Sequence, residues 1–298
     1  MHWQTARFRI DLSRPKVMGV VNVTPDSFSD GGQHATTADA LRHCEALVRQ
    51  GADLLDIGGE STRPGATPLP LAEELARVLP VVREAVRMGV PISVDTYKPQ
   101  VMQAVLDLGV DIVNDIWALR WSAPSVAGGN ALSATDVVAR HPGCGVCLMH
   151  MHGEPVSMQL SPMAGDVVGQ VAGFLGAAAT RLLAVGVARD RVLLDPGPGF
   201  GKTIAQNFSL LERQGELLRL GFPLMAAWSR KSSLAAMATP LGDAPGAAHE
   251  RLVPSVAAAV IAVERGARVV RAHDVFGTVQ ALKVWAAASG CSTAENTP

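Results

Sequence analysis

The chain has 298 residues, with 26 Lys and Arg against 27 Asp and Glu, a formal net charge of -1 and 48% hydrophobic content. That balance leaves no excess of cations to neutralise a phosphate backbone, which excludes a generic nucleic-acid surface. No apolar run reaches the ~18 residues of a membrane span, the N-terminal stretch lacks the apolar centre of a signal peptide, and four cysteines are too few for a disulfide framework, so a reduced, cytoplasmic compartment is expected.

Taken in chain order, short runs rich in Val, Ile and Leu alternate with amphipathic stretches. Strands are expected at 17–23, 54–57, 92–94, 112–114, 146–149, 192–194, 224–227 and 269–272. They lack strict polar alternation, as strands covered on both faces do. Helices are expected at 38–50, 71–88, 99–108, 135–140, 163–185, 204–220, 253–265 and 275–288. Gly51, Gly89, Gly109, Gly186, Gly221 and Gly266 follow helical stretches, where glycine supplies a left-handed cap. Eight alternating units in this length predict a single-domain α/β fold, a (β/α)8 TIM barrel over residues 1–290. Residues 120–133 and 239–248 read as loops, and 291–298 as a disordered tail.

Polar residues gather where the strand runs end. The ends carry Asn22, then Gly59-Glu60-Ser61-Thr62-Arg63, Asp95, Asn114-Asp115, His150 and His152, Asp195, Ser229-Arg230-Lys231, and Arg271 and His273. In a barrel those ends converge on one face and build the active site. Arg63, Lys231, Arg271 and His273 are cations expected at one mouth, which suits a diphosphate. Asn22 offers an oxygen to a hard cation such as Mg²⁺. Asp95, Asn114 and Asp195 suit a flat heterocycle with several N–H and carbonyl edges.

Two motifs are set aside. The stretch 197–202 resembles a phosphate loop, but a P-loop needs glycine where Pro196 stands. His150-x-His152 and Cys144-x-x-Cys147 lack the further ligands of a zinc site and read as structural or pocket-lining pairs.

In order, 22–32 (NVTPDSFSDGG), 59–65 (GESTRPG), 195–202 (DPGPGFGK), 229–232 (SRKS) and 271–274 (RAHD) resemble the bacterial dihydropteroate synthases of folate biosynthesis. The resemblance runs from Val17 to the last helix and implies a transferase. Its reaction joins 6-hydroxymethyl-7,8-dihydropterin diphosphate to 4-aminobenzoate, releasing diphosphate, with Mg²⁺ as cofactor and a homodimer as the assembly. It further implies that Asp95, Asn114, Asp195 and Lys231 hold the pterin, with Asp95 and Lys231 catalytic. Asn22, Thr62, Arg63, Arg271 and His273 hold the diphosphate, and Asn22 the metal. Phe28, Thr62, Arg63, Pro64, Phe200 and Ser229 border the aminobenzoate. The loops 24–32 and 61–66 are expected to order around substrate. Ala226-Ala227-Trp228 and the segment 120–133 depart from the family pattern and bear on pocket width.

Two other readings stand beside this one. A pterin-binding methyltransferase acting with a corrinoid protein would share the barrel and pterin pocket, but it needs neither the GESTRPG loop nor the Arg271-x-His273 pair. A non-catalytic paralogue would have lost pocket groups, and all seven of Asn22, Asp95, Asn114, Asp195, Lys231, Arg271 and His273 are present.

Overall fold

The computed structural model describes residues 1–24, 37–62, 65–121, 132–238 and 251–290. Two short strands, β1 (His2–Gln4) and β2 (Arg9–Asp11), pair antiparallel. Eight further strands follow: β3 (Lys16–Asn22), β4 (Leu54–Gly58), β5 (Ile92–Asp95), β6 (Ile112–Asp115), β7 (Gly145–Met149), β8 (Val192–Asp195), β9 (Leu224–Ala226) and β10 (Ala267–Ala272). All their pairings are parallel, and they close into a barrel in the order β10-β3-β4-β5-β6-β7-β8-β9. The expected eight strands are all present, with ends shifted by one or two residues.

Helices α1 (Thr37–Arg49), α2 (Leu71–Ala85), α3 (Pro99–Asp107), α4 (Ala134–Arg140), α5 (Val167–Ala184), α6 (Ile204–Glu212), the short α7 (Ala235–Ala238), α8 (Leu252–Glu264) and α9 (Val275–Ala288) surround the barrel. α2 stops at Ala85, three residues short of its expected end. Two further helices differ for local reasons. α5 begins at Val167, because the Asp166 carboxylate caps the Val168 and Gly169 amides. The stretch read as one helix to residue 220 breaks after Glu212 and resumes as a 3-10 turn over Gln214–Leu220, ending on left-handed Gly221. α5 has the length and apolar composition of a membrane span, yet Val168, Val171, Leu175 and Leu182 are buried in the layer against the barrel.

Strand side chains alternate between faces, so residues two apart share a face. Val21, Ile57, Val94 and Val270 point outward and meet the helices. The alternate residues face inward in two layers. The lower holds Met18, Leu54, Ile112, Cys147, Leu193, Met225 and Val269, all apolar and buried, closed by Trp3, Ile10 and Leu12 from the N-terminal hairpin. Trp3 is fully buried and donates its indole N–H to the Arg191 carbonyl at 2.9 Å. The hairpin was not read from the sequence. Arg7 and the Ile92 amide also close on one carboxylate, Asp111. Higher up, the inward face turns polar on five of the eight strands, with Asp56, Asp95, Asn114, Asp195 and Arg271.

Cys144 and Cys147 separate as strand periodicity requires, Cys144 in the outer layer and Cys147 in the barrel interior. Burial pushes the Cys144 thiol up to about 12.

Candidate active site

The polar layer forms the floor of a cleft of about 1080 Å³ at the C-terminal ends of the strands. Asn22 from β3, Asp95 from β5, Asn114 from β6, Asp195 from β8 and Arg271 from β10 all line it, with Lys231 and His273 from the loops after β9 and β10. Thr62, Phe200 and Ser229 line it as well. Every expected site residue that is described therefore meets in one cleft. Phe28, Arg63 and Pro64, most of the 24–32 loop, and residues 122–131 and 239–250 lie outside the described residues, as does the tail at 291–298.

The deepest group is one the motifs did not name. Asp56, fully buried in mid-strand, accepts from Arg271 Nε at 2.6 Å and from Asn114 Nδ2 at 3.0 Å. Arg271 Nη2 donates to Asp95 at 2.9 Å. The guanidinium thus spends two of its three nitrogens on carboxylates. Asp56 Oδ1 and Asp95 Oδ1 are buried without a hydrogen bond among the described residues. Of the two, Asp95 lines the cleft, so its oxygen can take a donor from a ligand there. A signal for Asp56 did exist: it is the one charged residue in Leu-Leu-Asp-Ile-Gly, an otherwise apolar strand.

Burial dominates the electrostatics. It pushes the Asp95 carboxyl up to about 7, with the nearby Arg271 charge opposing and Asp56 and Asp115 assisting. It also raises Asp195, which takes a 2.7 Å hydrogen bond from the Gly197 amide. Burial brings the Lys231 ammonium down to about 8 against the pull of Asp195. Lys231 Nζ lies 4.3 Å from the centroid of the Phe200 ring, a cation–π contact between a residue expected to hold the pterin and one expected to border the aminobenzoate.

Neighbouring residues take other work. Asp115 points away from Asn114 and accepts from the Trp117 and Leu119 amides at 2.8 and 2.7 Å, holding Ala118 and Leu119 in left-handed conformation. Lys202, 2% exposed, donates to the carbonyls of Gly197, Phe200 and His150 at 2.8, 3.1 and 3.3 Å. It is a clamp for its own loop, so the phosphate-loop likeness has a structural cause. β7 ends at Met149, and strand alternation does not carry through the two histidines beyond it. His150 is buried with its ring 4.9 Å edge-on to Phe174 of α5, while His152 is partly exposed. At the base of the 61–66 loop, Glu60 accepts from the Leu69 amide and the Tyr97 hydroxyl and pairs with Lys98, which also holds Glu74. Ser232, another lining residue, was passed over because it sat in the SRKS motif without a role of its own.

A barrel with carboxylates at its floor and cations at its rim is the architecture of an enzyme for a polar ring carrying an anion. Residues 18–273 match the pterin binding enzyme family, and the chain belongs to it. Within that family it groups with the dihydropteroate synthases. It is 48% identical over 290 residues to the dihydropteroate synthase of Neisseria meningitidis serogroup B, covering 96% of each chain. The Burkholderia cenocepacia dihydropteroate synthase complexed with 7,8-dihydropteroate superimposes with a TM-score of 0.84 at 46% identity, covering 97% of each chain. The Xanthomonas albilineans dihydropteroate synthase with 4-aminobenzoic acid gives 0.85 at 44% identity, covering 97% and 98%.

Proposed function

We propose that the chain condenses 6-hydroxymethyl-7,8-dihydropterin diphosphate with 4-aminobenzoate to give 7,8-dihydropteroate and diphosphate, as a transferase of folate biosynthesis. The observation that carries this reading is the floor of the cleft, where Asp95, Asn114 and Arg271 line the cavity, Asp56 ties Asn114 and Arg271 together from behind, and Asp95 Oδ1 has no donor among the described residues.

In this reading Asp95, Asn114, Asp195 and Lys231 hold the pterin ring, and the carboxylates accept from its N–H edges. Asn22, Thr62, Arg63, Arg271 and His273 hold the diphosphate. The bond from the pterin methylene to the diphosphate oxygen breaks first, and both electrons leave with the oxygen. The methylene becomes cationic beside Asp95 and Asp195, whose fixed negative charge stabilises it. The aniline nitrogen, seated against Phe28, Pro64, Phe200 and Ser229 with Thr62 and Arg63, then bonds to the methylene and loses a proton to water. No side chain acts as a nucleophile. Burial of the floor keeps water from capturing the cation.

Mg²⁺ fits this site as a guest of the substrate. Among the described residues no cluster of three His, Cys, Asp or Glu forms a protein cage. Magnesium characteristically binds one or two protein oxygens plus phosphates and water, and the Asn22 amide oxygen in the cleft supplies one. When bound, the ion would neutralise charge on the leaving diphosphate.

The proposed assembly is a homodimer in the cytoplasm. Val253 and Ile261 on α8, with Phe276 and Val284 on α9, are apolar and exposed, a surface suited to a second copy. A Val253→Asp, Phe276→Asp variant should sediment as a monomer. A dimer that survives both charges places the interface elsewhere.

The decisive assay mixes the protein with pterin diphosphate, 4-aminobenzoate and Mg²⁺ and follows both products. Diphosphate and pteroate should appear in equal amounts. Absence of diphosphate release, or release without pteroate, overturns the assignment. A sulfonamide, as a mimic of aminobenzoate, should compete with it.

A further inference from the structure

Between Ser229 and Lys231, both lining the cleft, stands a residue with an unusual backbone. Arg230 has φ +58°, the left-handed region that residues other than glycine seldom enter. Such outliers persist only where surrounding structure enforces them. Here the side chain and both backbone polar groups are engaged. The guanidinium grips Asp274 with two parallel bonds, Nε to Oδ2 at 2.9 Å and Nη2 to Oδ1 at 2.6 Å. The Arg230 amide donates to Ser255 Oγ at 2.9 Å, and Ser255 in turn donates to the Arg251 carbonyl at 2.6 Å. Arg251 Nη1 donates back to the Arg230 carbonyl at 3.1 Å.

The turn has a geometric result. Ser229, Arg230, Lys231 and Ser232 all line the cleft around this left-handed step. The Lys231 amide closes the turn on the Trp228 carbonyl at 3.2 Å. Ser229 Oγ accepts from the His273 amide at 3.0 Å. Asp274 begins α9 immediately after that histidine. The Arg230–Asp274 pair therefore joins the loop carrying Lys231 to the end of β10, which carries Arg271, and to His273 just beyond it.

We infer that Arg230 is a positioning residue: locked by Asp274 into a left-handed turn, it holds Lys231 and Ser229 on the cleft and fixes their distance from Arg271 and His273. Although Arg230 borders the cleft, its guanidinium is turned onto Asp274 and acts through its neighbours, and the ion pair is needed because an L-residue occupies a glycine conformation. This rests on the synthase reading. The experiment separates the two failures, since wild type lacking turnover sinks that reading, whereas the comparison among variants tests the turn.

The test is a double-mutant cycle read in kcat/KM for pterin diphosphate, in pterin binding and in thermal midpoint. Arg230→Ala and Asp274→Asn should each lose about 10- to 30-fold, within what a misplacement of about 1 Å costs, with the midpoint nearly unchanged. Arg230→Gly adopts the turn without help, so it should recover most of the loss. In the Arg230→Gly background, Asp274→Asn should cost less than about twofold, a non-additivity that residues acting independently would lack. If Arg230→Ala matches or exceeds Arg230→Gly, or if activity falls only in step with the midpoint, the inference is overturned. Should Arg230→Ala fail to fold, the Asp274→Asn cost in the two backgrounds still decides.

Discussion

Asp56 has the most to lose from a single atom. Its carboxylate orients Arg271 and Asn114 together, and it is fully buried, so bulk water cannot soften a change. Asp56→Asn keeps the shape but removes the charge opposite the guanidinium, so Arg271 should turn wholly to Asp95. Turnover should fall about 10²-fold, the scale of a lost electrostatic partner at a reacting centre, with the fold kept. Near-normal kcat would remove Asp56 from the site. Lys202 makes the opposite case, a buried cation serving structure. Lys202→Met leaves three backbone carbonyls without their donor, and the cost should be about 3 kcal/mol in urea unfolding. The same loop admits no Cβ at Gly201, where φ is +66° and an added methyl would lie 2.2 Å from the His152 carbonyl oxygen.

At the scale of the element, the strands were legible because burial on both faces selects Val, Ile and Leu, and the loops because their polar residues follow each apolar run. Legibility failed in two places. The register of each strand, which decides that Asp56 faces the barrel interior and Val94 does not, exists only once neighbours pair. The N-terminal hairpin is too short for its period to show in sequence: three residues per strand, with Trp3 and Ile10 facing the barrel, gain their meaning from what they cover. That cover should be costly to remove. Trp3→Ala opens the lower layer and breaks the bond to the Arg191 carbonyl. It should destabilise by about 3–5 kcal/mol, the range for a buried aromatic, as measured by chemical denaturation. The cleft itself, remote from the hairpin, should keep its affinity for pterin. Of the site, the SRKS and RAHD motifs pointed to Lys231, Arg271 and His273. The Arg230–Asp274 pair lies within the same two motifs, but its contact spans 44 residues and needs the barrel to close.

For the whole molecule, the buried charges set activity and stability against each other in pH. In the proposed reaction Asp95 is ionised to accept from the pterin and Lys231 protonated to donate. With the free groups near 7 and 8, kcat/KM for the pterin substrate should be bell-shaped with limbs at about those values. A flat profile from pH 6 to 9 would show that neither ionisation matters. The sign for stability is reversed. Asp95 and Asp115 are raised to about 7 by burial, so what they contribute is present below about 4 and lost as pH rises through 7. Lys231 and Lys202 are lowered by burial to about 8 and 7, so their contribution is present above about 10 and lost as pH falls through those values. Together the four groups place a dip in thermal midpoint near pH 7 to 8, where turnover peaks. Asp115→Asn should make the dip shallower and, because the Asp115 charge helps raise Asp95, should also move the acid limb of activity to lower pH. The sealed lower layer carries one more consequence. A barrel stopped at one end is a well with a single mouth, and its traffic is first in, last out. In the proposed reaction a ring resting on the floor would have to arrive before its co-substrate, and the joined product would leave by the way both halves came in.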